Sequence, residues 1–352
     1  MIDTIRTALV GFGISGQVFH APFLTTIPGY QLVSVLERHS SFSGERYPGI
    51  RICRTMEECI ADPELDLIII TTPTESHFSL AAMAIEAGKH VVVEKPFTVN
   101  PAEAIDLIKL AIEKGVVLSV YQNRRYTGDF RAIQKILHSG ILGDIAEFEA
   151  HYDRYRLQLR SGAWREMDLP GSGILFDLGA HLIDQALCLF GSPLTITANI
   201  KTQRPGAKVT DYFDLRLGYD LTEVRLKSGM LVREPGPRYQ VHGTLGSYVK
   251  YGEDPQEALL RSGQLPLGPD WGMELPDQWG ILHTEKQGVV IREPYPTPAG
   301  NFGDYYRELY LTLTAGHPLP IRPEEAYNTI RLISLAMESS SRGRTMICTN
   351  LL

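Results

Sequence analysis

Lys95 stands in the triplet Glu94-Lys95-Pro96, directly after the apolar run from His90 to Glu94. Such a run reads as a buried strand, and in open parallel sheets ligands bind beyond the carboxyl ends of the strands. An ammonium placed there is partly desolvated, so it donates to a substrate oxygen and stabilises negative charge as that charge develops. Pro96 lacks an N–H and restricts Lys95 to extended geometry, which suits an aimed side chain. The plainer alternative is an exposed lysine at a strand end.

A second set lies between Gly171 and Asp184, in the stretch Gly-Ser-Gly-Ile-Leu-Phe-Asp-Leu-Gly-Ala-His-Leu-Ile-Asp. If the chain is helical after the glycines, Asp177, His181 and Asp184 share one face at i, i+4 and i+7. The other faces are apolar, and such a stripe is costly to bury unless it is paired or used. A histidine held by a carboxylate suits reversible proton transfer near neutral pH. A satisfied structural Asp-His pair is the alternative, and Asp184 reads best as a structural cap or a support for the others.

The third set is Gly11-Phe12-Gly13-Ile14-Ser15-Gly16, between the apolar run from Arg6 to Val10 and a helix-like stretch from Ile14 to Thr26. Glycines at these points permit a tight turn, close approach of the main chain to a pyrophosphate, and packing of helix on strand. Gly11, Phe12, Gly13, Ser15 and Gly16 are therefore candidate dinucleotide contacts. The pattern asks for an acid about 20 positions further on, and Glu37 supplies it at the end of the second strand. Arg38 follows immediately. A carboxylate here holds the adenosine ribose hydroxyls of NAD, whereas an arginine holds the additional phosphate of NADP. Each also reads as a solvated loop charge.

These residues need elements to hold them. Strands are predicted at Arg6 to Val10, Gln31 to Leu36, Leu67 to Thr71, His90 to Glu94 and Val116 to Tyr121. They are rich in Val, Ile and Leu without clean alternation, the pattern of parallel strands covered on both faces. Thr55 with Glu58, and Asn100 with Pro101 and Glu103, resemble helix-opening capping boxes, while Gly88 and Gly115 sit where helices end. The alternation gives a doubly wound parallel sheet over residues 1–122. Beyond Tyr121 the strands lengthen and alternate, at Ile145 to Tyr152, Thr195 to Gln203 and Asp211 to Tyr219, and helical runs close the chain near Tyr305 to Ala315 and Pro323 to Ser340. Residues 123–352 are accordingly an α+β domain with a large, mostly antiparallel open sheet.

Composition agrees with two globular domains. The chain has 352 residues, 43% hydrophobic and 21% charged, which excludes wholesale disorder and small disulfide scaffolds. With 34 basic and 41 acidic side chains the formal charge is −7, which disfavours a nucleic acid or an anionic membrane as partner. Cys53, Cys59, Cys188 and Cys348 form no CxxC pair and no familiar zinc spacing, so no metal is expected. Neither a signal peptide nor an apolar run of membrane-spanning length is evident, and a cytoplasmic location is the default.

The glycine turn, Glu94-Lys95-Pro96 and the Asp177-x-x-x-His181 segment, in this order, resemble the Gfo/Idh/MocA family of NAD(P)-dependent sugar and polyol dehydrogenases. Tyr121 to Arg125, Trp164-Arg165-Glu166, Asp177 to Gln185 and Gly246 to Gly252 are similar to a bacterial branch of inositol dehydrogenases that use NADP. The resemblance covers essentially the whole chain. It implies a Rossmann domain, a second α/β domain whose open sheet builds an oligomer interface, and an active site in the cleft between them. In that reading Lys95 orients the reacting hydroxyl, His181 exchanges its proton, and Asp177 binds substrate or fixes His181. Thr72, Pro73 and His77 line the nicotinamide side, with Glu94 and Asn123 also near the cofactor. Two departures stand out: Gly171-Ser172-Gly173 replaces a glycine triplet, and Glu37 replaces a small polar residue in the inositol branch.

Aromatic faces mixed with charges suit polyhydroxylated rings, and Tyr155, Trp164 and Arg165 are candidate substrate contacts on that ground. Arg154 and Tyr155 also suit a sheet surface or a dimer interface, and Asp211 and Tyr212 read equally as structural. The resulting expectation is a homodimeric or larger oxidoreductase that transfers a hydride between NADP, or else NAD, and a secondary alcohol of a cyclic polyol such as scyllo-inositol, or of a sugar. The alternatives are a glycosidase or epimerase that retains NAD, and a non-catalytic dinucleotide sensor or co-regulator.

Overall fold

The computed structural model describes residues 4–160 and 162–352. They fall into two compact units. The first comprises the chain up to Asn123 with Gln256–Trp271 and Asn301–Tyr327, and the second comprises Arg124–Pro255, Gly272–Gly300 and Asn328–Leu352. A single division after residue 122 leaves 256–271 and 301–327 with the second domain, but these segments pack in the first. Phe302 meets Phe19 edge-on at 6.2 Å, and Tyr306 stacks on Phe23 at 6.0 Å. Local periodicity carries no signal for a segment that returns to an earlier core.

The first unit is built on six parallel strands, β1 (Ile5–Val10), β2 (Tyr30–Leu36), β3 (Arg51–Cys53), β4 (Leu67–Ile70), β5 (His90–Glu94) and β6 (Leu118–Tyr121). Their order is β3-β2-β1-β4-β5-β6, the doubly wound arrangement whose direction reverses between β1 and β4. Every residue of β4 is buried, as a Leu-Ile-Ile-Ile run covered on both faces requires. β3 is three residues long, too short to leave a periodic signal. Both helix openings are capped: Thr55 accepts from Glu58 N–H at 3.3 Å and Asn100 from Glu103 N–H at 3.1 Å. The glutamates reach back one residue beyond the cap, to Arg54 N–H at 2.6 Å and Val99 N–H at 3.2 Å. Gly115, at φ 65°, ends the helix Pro101–Lys114 in the left-handed region that glycine adopts most easily.

The second unit carries a nine-stranded sheet of β7 (Ile145–His151), β8 (Thr195–Lys201), β9 (Tyr212–Gly218), β10 (Glu223–Gly229), β11 (Tyr239–Gly243), β12 (Gly246–Lys250), β13 (Gly280–Lys286), β14 (Val289–Tyr295) and β15 (Met346–Ile347). The order is β14-β13-β12-β11-β7-β10-β9-β8-β15, and β7 pairs with β10 in parallel within an otherwise antiparallel ladder. Alternation puts Phe213, Leu215 and Leu217 inside with Phe148 and Ala150. The helix Ala180–Phe190 covers that face, with Phe190 edge-on to Phe148 at 5.3 Å. Polar side chains form ladders across β7, β10 and β9, where Arg225 meets Glu149 at 3.5 Å and Asp214 at 2.7 Å. Among the described residues no helix is long and apolar enough to cross a membrane.

Candidate active site

The carboxyl edge of the first sheet gathers most of the sequence-predicted cofactor residues, because each follows the end of a strand. Gly11 has φ 99°, and a Cβ there would stand 3.1 Å from Thr71 Oγ1. Gly16 backs onto the Gly11 carbonyl, where a Cβ would approach to 2.7 Å, whereas a Cβ at Gly13 would meet nothing within 4 Å. Two glycines are thus needed by the turn itself, and the third leaves open space over the main chain. Thr71 Oγ1 donates to Gly11 O at 2.8 Å and Gln17 Nε2 to Phe12 O at 2.7 Å, which fixes the cradle. This shape fits the pyrophosphate of a dinucleotide. Phe12 itself is buried, edge-on to Tyr47 at 6.3 Å.

Glu37 occupies the predicted place at the end of β2, but its carboxylate is engaged by the loop that follows. Oε1 accepts from Ser43 N–H at 2.8 Å, and Oε2 from Ser40 Oγ at 2.5 Å and Phe42 N–H at 3.1 Å. Burial pushes its pKa up, yet these bonds to Ser40, Ser43 and Phe42 bring it below the usual value. These three bonds fill most of the carboxylate's acceptor sites and leave about one, on Oε1, for a ribose hydroxyl. Arg54 closes the loop by donating to the Glu37 carbonyl at 2.6 Å and to the Ser40 carbonyl. Arg38 is exposed, and among the described residues no hydrogen bond or ion pair holds it.

Lys95 follows β5 and is half-buried, with a cis peptide to Pro96. Its main-chain N–H donates to Glu94 Oε2 at 2.9 Å, and Ser15 Oγ donates to Glu94 Oε1. Two predicted cofactor residues therefore meet on one carboxylate. His77 is buried between two carbonyls, with Nδ1 2.9 Å from Pro96 O and Nε2 2.9 Å from Thr72 O. Burial lowers its pKa despite these acceptors. A neutral ring carries one N–H and donates to one of these carbonyls, and the ring lies between the Thr72-Pro73 loop and the Lys95-Pro96 turn. Asn123 is buried at the start of a short 3₁₀ turn, Asn123–Tyr126, that follows β6.

In the second unit, Leu175–Gly179 forms a π-helical turn that runs into the α-helix Ala180–Phe190. The shared face read from the sequence assumes α-helical spacing after the glycines; the observed i→i+5 turn widens the winding at Asp177, while His181 and Asp184 lie on the α-helix. Asp177 Oδ1 accepts from Arg165 Nε at 3.0 Å, and the Arg165 guanidinium lies 4.6 Å from the Trp164 ring centre. Trp164, Arg165 and Asp177, each a candidate substrate contact in the sequence, are thus adjacent. His181 is 5% exposed, with its ring centre 6.2 Å from that of Tyr152. Asp184 binds Arg125 through both oxygens, at 2.8 and 2.6 Å. Of the departures, Ser172 donates to Leu169 O at 2.6 Å, and Gly173 has φ 84° against Thr210.

Other candidates lie apart from this helix or are consumed structurally. Asp211 is buried and accepts from Arg204 Nε at 3.0 Å and from the N–H groups of Gln203 and Arg204 at 2.6 and 3.0 Å. Tyr155 is exposed, paired with Leu231 in an isolated bridge and stacked under Arg233 at 4.2 Å. Arg154 pairs with Glu253. Sequence reasoning missed Arg238, whose guanidinium sits 3.4 Å from the Tyr152 ring centre, and Gln185, which accepts from Tyr239 OH at 3.0 Å and Tyr152 OH at 3.4 Å. Gln185 closes the Asp177 to Gln185 stretch of the sequence resemblance, which assigns it no role, and it is completely buried.

Comparisons with known proteins match the chain in two consecutive stretches. Residues 5–122 match a family model described as an oxidoreductase family with an NAD-binding Rossmann fold, and residues 134–348 match the C-terminal alpha/beta domain of the same oxidoreductase family. The chain is 40% identical over 346 residues to the scyllo-inositol 2-dehydrogenase (NADP(+)) IolW of Bacillus subtilis, covering 98% of this chain and 96% of that protein. It is 41% identical over 346 residues to the oxidoreductase YdgJ of Escherichia coli, covering 98% and 99%. The solved structure of the oxidoreductase yvaA of Bacillus subtilis matches with a TM-score of 0.95 and 40% identity over 99% of both chains.

Proposed function

The chain belongs to the Gfo/Idh/MocA oxidoreductase family, and from that premise we propose an NAD(P)-dependent dehydrogenase that interconverts a secondary alcohol of a cyclic polyol, such as scyllo-inositol, or of a sugar and the corresponding ketone. The observation that carries this reading is Lys95 at the end of β5, on the sheet edge that also forms the glycine cradle. A bound nicotinamide supplies the hydride acceptor or donor. Lys95 Nζ donates to the reacting oxygen and stabilises the charge that develops as the C–H bond breaks. His181 takes the hydroxyl proton as alcohol becomes ketone and returns it in the reverse direction. Asp177, held by Arg165, accepts hydrogen bonds from neighbouring hydroxyls, and the neighbouring Trp164 offers apolar surface to a ring.

The cofactor preference proposed is NADP. Arg38 supports it, as a guanidinium suited to a phosphate, and so does the commitment of the Glu37 carboxylate to its own loop. The assembly proposed is a homodimer, which light scattering at micromolar concentration tests directly.

Absorbance of NADPH and NADH, followed over a panel of inositols and sugars, tests the activity. The expected result is turnover of at least one cyclic polyol or sugar, with a loss of about a hundredfold or more in kcat for Lys95→Ala and little change in cofactor affinity. Cofactor binding without turnover of any substrate would make the protein a sensor instead. Turnover without added cofactor, by a protein purified with it bound, would make it a cofactor-retaining glycosidase or epimerase.

A further inference from the structure

One buried cluster beside Lys95 has no part in the proton and hydride steps. His20 ends the π-helical turn Gly16–His20, and none of its surface is exposed. Its Nδ1 lies 2.5 Å from the Tyr306 hydroxyl and its Nε2 2.9 Å from Glu94 Oε1. Burial holds the Tyr306 proton firmly, so the phenol donates to Nδ1 and leaves Nε2–H to face the carboxylate. The rings are packed in place: His20 lies 4.5 Å from Tyr121, and Tyr306 stacks on Phe23 while its main-chain carbonyl accepts from Tyr30 OH at 2.8 Å. Glu94 thus receives three donors: His20 and Ser15 on Oε1, and the Lys95 main chain on Oε2.

A carboxylate this deeply buried is a poor device for stability alone, since apolar side chains of similar volume often serve as well or better. Its three donors come from the glycine turn, the first helix and the strand end that presents Lys95. We propose that His20 is a positioning residue: with Tyr306 fixing its tautomer, it holds Glu94 so that one carboxylate sets both the Ser15 hydroxyl of the cofactor turn and the main chain of Lys95. The inference rests on the proposed role of Lys95 for its catalytic half and on the dinucleotide cradle for its binding half.

Three variants of the full chain test it: His20→Leu, which removes the donor at similar volume; His20→Gln, whose amide can donate to Glu94 and accept from Tyr306; and Tyr306→Phe, which removes only the hydroxyl. kcat, KM and the NADPH dissociation constant, read by nicotinamide fluorescence, are normalised to folded protein. His20→Leu is expected to lower kcat by about a hundredfold with polyol KM changed less than about threefold, and to weaken NADPH by about tenfold. His20→Gln is expected to recover most of both, and Tyr306→Phe to show a smaller loss of the same kind. Wild-type kcat and NADPH affinity in His20→Leu, or equal impairment in His20→Leu and His20→Gln, would overturn the proposal. If His20→Leu does not fold, wild-type values in Tyr306→Phe overturn it, and a loss in Tyr306→Phe with function kept in His20→Gln upholds it. A wild type that oxidises no polyol or sugar would defeat the proposed function instead, and the dissociation constants of the same variants would then decide the role of His20.

Discussion

Arg125 and Asp184 meet in a two-bond pair, Nε to Oδ2 at 2.8 Å and Nη2 to Oδ1 at 2.6 Å, with the Asp184 side chain 2% exposed. Planar guanidinium and carboxylate match each other in this geometry, and an ammonium cannot reproduce it. Asp184 is one turn beyond His181, so the pair ties the histidine's helix to the segment after β6.

Asp184→Asn leaves a mostly buried guanidinium without its counter-charge, and a loss of about 3 to 5 kcal/mol in unfolding free energy is expected. Arg125→Lys keeps the charge but loses the fork, and a smaller loss is expected. Urea denaturation of both variants reads the difference. Equal midpoints for wild type and Asp184→Asn would show that the pair contributes nothing to the fold.

The loop after β2 separates two roles that sequence alone left together. Glu37 is bonded to Ser40, Phe42 and Ser43, so Glu37→Gln is expected to change NAD affinity less than about threefold while loosening the loop. Arg38→Ala removes an exposed guanidinium, and a loss of about ten- to a hundredfold in NADP affinity with NAD little changed is expected, the size of a charge-assisted hydrogen bond. Titration of both variants with both cofactors gives four ratios. A swing toward NADP on loss of the Glu37 charge would return that carboxylate to the ribose.

Much of the first unit was legible because parallel strands, capped helices and glycine turns are local signals. β5 is observed over its predicted span, and Asn100 caps the helix that it was predicted to open. What stayed hidden was long-range. Tyr306 reaches His20 across 286 positions, and no periodicity in either segment announces the other. The π turn at Leu175–Gly179 was equally invisible, since apolar spacing cannot tell i→i+5 from i→i+4 over five residues. Glu37 was placed correctly along the chain, but its hydrogen bonds depend on how Ser40 to Ser43 fold back.

The glycine cradle separates steric need from ligand need. A Cβ at Gly16 would press on the Gly11 carbonyl at 2.7 Å, so Gly16→Ala is expected to destabilise the first unit and weaken cofactor binding together. A Cβ at Gly13 would touch no protein atom within 4 Å, so Gly13→Ala is expected to keep stability within about 0.5 kcal/mol. Any loss of NADPH affinity in Gly13→Ala then reports contact with the dinucleotide itself. Fluorescence titration beside thermal denaturation distinguishes the two, and unchanged affinity in Gly13→Ala would move the pyrophosphate off this turn.

Glu94 sets an acid limit to stability. Burial alone would raise its pKa, but contact with His20, the Lys95 ammonium and the Ser15 hydroxyl holds it down to about 2, against an ordinary value of 4.5. A carboxyl whose folded pKa lies below its unfolded one stabilises the fold above the unfolded value, and that contribution is lost as pH falls through the folded value. The window is therefore about pH 4.5 down to about 2, and the contribution is on the order of 3 kcal/mol. Glu94→Gln cannot take up that proton, so its urea midpoint is expected to be lower than wild type at pH 7 and to fall less steeply across the window. Parallel curves for the two proteins between pH 4.5 and 2 would assign the acid limit to other carboxylates.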